Sequence, residues 1–365
     1  MEADAVVVAV AEAAEINMIC SHHSRLTLQF HVTGKCNLSC KHCYRTDGNV
    51  EPLTLDDIYR VIDQFKELRE KFNSLHKTSL RGHINITGGE PFMRSDIVNI
   101  LEYLGNNKSS FTYGILSNGS FIDDRTIEKL KETEVSFVQL SIDGDRQMHD
   151  SIRADGDYER VFKTAELLEK SGIKTYISFT ANKDNYKLLP KVAKECRKRG
   201  ISKLWSDRLV PIGNGKDMKA LEITKDQIKD YILYLKKAKG GIITKWRYPK
   251  TVVAMDRALQ FQNTNGRIYS CGAGRTLITI DEFGDVMPCR RMPIICGNIF
   301  NSSLSDIYFC ETFKQLRKDR VPKECHGCKY AYYCKGGARC QSYARNDSFL
   351  RADPACPLLS EKRTR

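Results

Sequence analysis

The sequence predicts an α/β protein: a partial (β/α)6 TIM-like barrel of parallel strands, followed by a small cysteine-rich α+β domain. Two observations predict this. Segments with strand and helix patterning alternate six times between residues 27 and 238, the signature of parallel strands joined by crossover helices. Beyond residue 268 the periodicity breaks into short apolar runs, and nine of the fourteen cysteines crowd between Cys271 and Cys356.

The units run in order. "LTLQFHV" (27–33) reads as a buried strand, and 54–72 as a helix with Thr54 as N-cap and Asp56 and Asp57 in its first turn. "HINIT" (83–87) precedes a helix over 95–105, "FTYGILS" (111–117) one over 123–132, and "SFVQLSI" (136–142) one over 158–171. "KTYISFT" (174–180) leads to a helix at 185–199, and "SKLWSDR" (202–208) to one at 224–238. Six units fall short of a closed eight-fold barrel, so an open barrel fits the count, with a doubly wound sheet as the alternative. Residues 1–24 form a leading arm, 25–240 the barrel, 241–267 a connector with some strand character, and 268–365 the cysteine-rich domain. That last segment is too poor in apolar residues to build much core, so bound metal is a reasonable source of its order.

Composition narrows the function. The chain has 365 residues, 41% hydrophobic and 28% charged, as in ordinary globular proteins. The apolar run near the start is flanked by Glu2, Asp4 and Glu12 with no basic residues before it. It is neither a secretory signal nor a bilayer span. A cytoplasmic, reducing setting is expected, and clustered thiols there point to metal. A net charge of +13 suits an acidic partner such as a peptide or an anionic small molecule. No compact basic patch interleaved with aromatics stands out, so neither nucleic acid nor a membrane is expected as partner.

The stretch "TGKCNLSCKHCY" (33–44) follows the first predicted strand and holds Cys36, Cys40 and Cys43. Loops after barrel strands lie on the face where chemistry happens. Three thiolates can hold three irons of a [4Fe–4S] cluster and leave the fourth open to an outside ligand. Structural zinc prefers four closed ligands, and His42, wedged between two cysteines, is poorly placed to be the fourth. Spacing alone leaves an open cluster, a zinc site and unligated thiols as readings.

"CNLSCKHCY" resembles the C-x3-C-x2-C loop of radical S-adenosylmethionine (SAM) enzymes, with aromatic Tyr44 after the third cysteine. "TGGEP" (87–91), "SNG" (117–119), "QLSIDG" (139–144), "HDSIR" (149–153) and "RLVPIGNG" (208–215) extend the resemblance over about residues 25–215. It implies that SAM chelates the open iron. Gly88, Gly89 and Glu90 would receive its ammonium, and Ser141 and Arg153 its ribose and carboxylate. Asn118 would line the same pocket, Leu209 would pack on adenine, and Asp143 would either face the ligand or cap its own turn. The implied chemistry is one-electron cleavage of SAM to a 5′-deoxyadenosyl radical, which abstracts hydrogen from a substrate.

The tail resembles the SPASM extension of such enzymes, which carries auxiliary iron–sulfur clusters. Cys271 is followed by Gly284 and Cys289, then Cys325, Cys328, Cys334 and Cys356. The pattern calls for cysteine at 338, where this chain has Ala338, with Cys340 two residues later. By correspondence Cys325, Cys328, Cys334 and Cys356 close one cluster. Cys271 and Cys289 hold the other, with Cys340 as a shifted ligand and Cys296 or Cys310 as further candidates. Either a small loop shift lets Cys340 close it, or its coordination is open or unusual or the cluster smaller, and an open iron there could bind substrate.

SPASM enzymes mostly modify ribosomal peptides or protein side chains, and some act on small molecules such as haem precursors. A ferredoxin or flavodoxin would supply electrons. With only about 25 residues before the first strand, either leader-peptide recognition falls to a separate protein or the substrate binds directly to the barrel mouth and tail. Arg290 stands where sulfatase maturases place an Asp, and it and the following Arg291 suit a carboxylate-bearing substrate. A cluster-bearing electron carrier without radical chemistry is the reading of a different class.

Overall fold

A computed structural model describes residues 25–46, 50–262, 268–318 and 321–359. The arm at 1–24 lies outside them. Six parallel strands carry the fold: β1 (Arg25–Thr33), β2 (Arg81–Gly88), β3 (Phe111–Leu116), β4 (Val138–Ser141), β5 (Thr175–Ala181) and β6 (Lys203–Arg208). They lie side by side in sequence order within one sheet. A doubly wound sheet reverses its order at a switch point. The unbroken order therefore excludes that alternative and gives the open barrel.

Crossover helices follow each strand: α1 (Leu55–His76), α2 (Ile97–Asn106), α3 (Asp124–Glu132), α4 (Arg146–Ile152), α5 (Asp157–Lys170), α6 (Leu189–Lys198) and α7 (Ile228–Lys239). Thr54 caps α1 in a reciprocal box with Asp57. Ile58, Val61, Ile62, Phe65 and Leu68 form the buried stripe of α1. It packs on strand residues such as Leu26, Leu28 and Phe30, all fully buried. Each such side chain contributes about 1.5–3 kcal/mol.

Sheet pairing continues past both ends of the barrel. β7 (Val252–Val253) pairs in parallel with β6, and β8 (Leu277–Ile280) in parallel with β1. β9 (Asp285–Met287) and β10 (Gly297–Asn298) complete a ten-stranded sheet. The cysteine-rich segment thus adds strands to the barrel edge beside β1. The strand character expected in "KGGIITKWRYP" is found elsewhere: Ile242–Arg247 is a short helix, α8, and the strand comes later at Val252–Val253. Four short helices, α9 (Leu304–Tyr308), α10 (Glu311–Arg317), α11 (Ala331–Cys334) and α12 (Arg339–Asn346), finish the chain. No helix among the described residues is long and apolar enough to cross a membrane.

Candidate active site

Alternation along the barrel strands sorts side chains into two sets. Leu28, Phe30, Ile84, Ile86, Leu140 and Ile177 join the core beneath the helices. The other set is largely polar, and its upper members Thr87, Gln139, Ser141, Ser178, Trp205 and Asp207 line a cavity of about 480 Å3 at the carboxyl ends of the strands. Volumes of this order are usual for small-molecule sites.

The three-cysteine loop closes one side of this cavity, and Cys36, Cys40, Cys43 and Tyr44 all line it. Backbone contacts hold the loop. Gly89 N–H donates to Thr33 O (2.9 Å), Glu90 N–H to Lys35 O (2.7 Å) and Lys41 N–H to Ile152 O (3.0 Å). Gly88 and Gly89 also line the cavity, and the close approach they permit is to the loop itself. A Cβ on Gly89 would stand 2.1 Å from Lys35 O, and one on Gly88, at φ +132, 2.2 Å from Thr33 O. Gly213 plays the same part beyond β6, where a Cβ would meet the Tyr44 carbonyl at 2.3 Å. "GNG" was legible as a motif, but its grip on Cys43 and Tyr44 was not.

Asn118, Ser141, Arg153 and Leu209 line the cavity. Glu90 does not. Its carboxylate is fully buried and accepts from Ser117 Oγ (2.8 Å), Asn118 N–H (2.7 Å) and Phe92 N–H (3.2 Å). It braces the turn that presents Asn118. Asp143 is neither ligand-facing nor a cap of its own turn. It lies buried behind Arg153, accepting from Arg153 Nε (2.6 Å) and Thr180 N–H (2.9 Å), and sits 3.1 Å from His42 Nε2. Burial alone would raise its pKa, but Arg153 and His42 outweigh that and hold it well below the usual carboxylate range. Arg153 is thereby fixed with Nη1 3.7 Å from Cys40 Sγ. His42 lines the cavity, a placement missed when it was weighed only as a zinc ligand.

Glu90 yields a pH prediction. Burial raises its pKa from 4.5 to about 7, with the three donors partly opposing. A carboxyl raised on folding contributes stability that is full below about pH 4.5 and is lost as pH rises through about 7. The stability of the native protein relative to Glu90→Gln should therefore fall by about 3 kcal/mol across that window. Parallel denaturant titrations from pH 4 to 8 check this; a constant difference would contradict it.

The C-terminal thiols gather as two sets. Burial, then the neighbouring Cys356 and Cys328, push Cys325 up to about 11, and burial and Cys356 push Cys334 up to about 12. Cys340 and Cys289 share a second apolar cluster with Val210, Ile212 and Ala338, with Cys271 packed against it. Burial, opposed by Arg291 and reinforced by Cys289 and Cys271, raises Cys340. Cys340 thus stands with Cys271 and Cys289. Cys296 and Cys310 do not join them: they neighbour each other against the barrel core.

Two arginines follow Cys289. Arg291 Nη2 pairs with Asp207 Oδ2 at 2.7 Å. Arg290 lies over the Tyr44 ring at 5.0 Å from its centre and, among the described residues, joins no ion pair. Asp207 escaped sequence reading, although a charge in the polar register of a strand signals an inward-facing group.

The donor chemistry suits iron–sulfur ligation. Thirteen cysteines are described, all as free thiols. Burial raises Cys36 and Cys40, and Cys43 raises both further as a neighbouring charge. Iron bound by the thiolates would relieve that repulsion. Among the described residues no three His, Cys, Asp or Glu side chains converge on one ion; a cubane instead takes one thiolate per iron.

A parallel barrel whose first loop presents three such thiols beside a small-molecule cavity defines an iron–sulfur enzyme. Residues 30–199 match the model of the Radical SAM superfamily, and 271–329 that of an iron–sulfur cluster-binding domain, SPASM. The chain carries a radical SAM domain over residues 30–199 and a SPASM domain over 271–329; SAM and iron–sulfur clusters are its cofactors. It is similar to an AdoMet-dependent heme synthase of Oleidesulfovibrio alaskensis, 24% identical over 92% of this chain and 88% of that one. It is also similar to mycofactocin maturase MftC of Mycolicibacterium smegmatis, 25% identical over 93% and 86%. Among solved structures, Streptococcus suis SuiB bound to precursor peptide SuiA has a TM-score of 0.71 at 18% identity, covering 98% of this chain and 80% of that one.

Proposed function

We propose that this radical SAM enzyme modifies a ribosomal peptide or a protein side chain by crosslinking, epimerisation or oxidation. The cavity mouth carries the reading: Arg290 lines it and, among the described residues, joins no ion pair, so it can receive an acidic side chain presented from outside. The likeness to MftC, named a mycofactocin maturase, supports it. The second reading, a tetrapyrrole substrate, is favoured by the relatives named heme synthases.

When bound, the reduced cluster and SAM supply a 5′-deoxyadenosyl radical. The chain's own residues bind and orient. Cys36, Cys40 and Cys43 hold the SAM-binding cluster. Arg153, locked by Asp143, offers its Nη groups to the SAM carboxylate. Asn118, Ser141, Gly88, Gly89 and Leu209 line the nucleotide's place, and the apolar walls at Leu116, Phe179 and Val210 exclude water. Cys325, Cys328, Cys334 and Cys356 hold one auxiliary cluster, and Cys271, Cys289 and Cys340 the other. Electrons come from a ferredoxin or flavodoxin. The free thiols accord with a cytoplasmic setting.

Arg290, which joins no ion pair among the described residues, receives a substrate carboxylate. Arg290→Gln should lower kcat/KM for the substrate about 10–100-fold, the worth of one charge-assisted contact, while 5′-deoxyadenosine formation without substrate persists. The function itself is tested by anaerobic turnover with an acidic peptide library beside a propionate-bearing tetrapyrrole, read by mass spectrometry. A modified peptide is expected. Conversion of the macrocycle with every peptide unchanged would move the assignment to the second reading.

A further inference from the structure

Helix α8 presents an unusual surface. Ile242, Ile243 and Trp246 are 86%, 81% and 84% exposed, and none of its six residues is buried. Large apolar side chains standing this far out, side by side, mark an interaction site. At roughly 100° per residue the three fall within a ~100° arc. Lys245 and Arg247 flank that arc on either side, and half-buried Thr244 faces inward. The stretch 236–250 holds six cations, Lys236, Lys237, Lys239, Lys245, Arg247 and Lys250, and no acid. Lys250 pairs with Glu169; the rest form no ion pair among the described residues.

The fold places this patch away from the active site. It lies between α7 and β7, and Val252 and Val253 pair with Lys203 and Leu204 at the start of β6. The patch therefore borders the amino ends of the strands, while the cavity opens at their carboxyl ends. Docking here leaves the mouth free.

We propose that α8 and its basic surround seat the enzyme on an anionic membrane surface, with the Ile242–Ile243–Trp246 face entering the headgroup layer. The helix is a protruding ridge. Its apolar strip with cations on both flanks is the arrangement of an interfacial helix, whose long basic side chains keep their charges at the phosphates. The basic residues of 236–250 complement anionic lipid. A helix this short is far below bilayer-spanning length, and the proposal revises the expectation of no membrane partner for this surface.

The test uses the full-length, cluster-reconstituted protein. Vesicles of phosphatidylcholine alone are compared with vesicles carrying about one-quarter phosphatidylglycerol. Cosedimentation with the anionic vesicles is expected, weakening at high salt. Only Trp205 and Trp246 contribute indole emission, and Trp205 is buried in the barrel. A lipid-induced blue shift present in the native protein and absent in Trp246→Phe would therefore place Trp246 in the headgroups. Ile243→Asp should reduce retention at least about tenfold with unchanged melting temperature and unchanged 5′-deoxyadenosine formation without vesicles. Equal retention of Ile243→Asp, or no retention with unshifted emission, would overturn the proposal and leave the face to a protein contact. A blue shift that grows with protein concentration without lipid would overturn it in favour of a second copy of the chain.

Discussion

Cys40→Ala should bring 5′-deoxyadenosine formation to background and remove one cluster's share of iron, while the protein stays folded. The loop's shape does not depend on the thiol. Lys41 N–H donates to Ile152 O and Cys43 N–H to Cys40 O, and the glycine contacts at 88, 89 and 213 are all with backbone. Removing the sulfur therefore removes a ligand without moving its neighbours. Two remaining thiols cannot hold a cluster that already has a corner without protein. Cys340→Ala provides the contrast: Cys340 stands with Cys271 and Cys289, so its loss should reduce only auxiliary-cluster signals in iron and sulfide counting with electron paramagnetic resonance. Full iron content and SAM cleavage in Cys40→Ala would refute the assignment of that loop.

The sequence made some layers plain and hid others for physical reasons. Six strand–helix units were readable because each strand buries one face beneath a helix, and Thr54 was readable as a cap because its reciprocal partner, Asp57, is three residues away. Three cysteines within eight residues announced ligation wherever the loop pointed. Ile242–Arg247 was misread because its isoleucines and tryptophan favour strands intrinsically, and its exposure is a tertiary fact. Glu90 and Asp143 lie in motifs whose spacing was legible, but motif membership does not say which way a side chain turns. Glu90 turned toward three donors and Asp143 toward a cation ten residues away. The contact between Arg208 and Asp353 spans 145 residues, and no local pattern encodes it.

That contact should be the most sensitive single point for stability. Arg208, on β6, is 3% exposed and Asp353 0%. Arg208 Nη1 lies 3.0 Å from Asp353 Oδ1, and Nη2 bonds the other oxygen. Asp353 also accepts from Ala338 N–H and Ala355 N–H, each at 3.1 Å, and its carbonyl accepts from Cys356 N–H at 3.0 Å. One carboxylate thus ties β6 to the segments bearing Cys340 and Cys356. A buried ion pair is weak evidence of net stabilisation, but breaking one strands its partner as an uncompensated charge. Asp353→Ala should therefore destabilise by about 3–5 kcal/mol, lowering the melting temperature by roughly 5 °C for a chain of this size. Iron should be lost from the C-terminal sets before the Cys36–Cys43 loop. Asp353→Asn keeps the shape and loses the charge, so it should be nearly as damaging. Adding Arg208→Met to it removes the stranded cation and should recover part of the loss. Asp353→Asn alone within about 1 kcal/mol of the native protein would show that hydrogen bonding, rather than charge pairing, holds the junction.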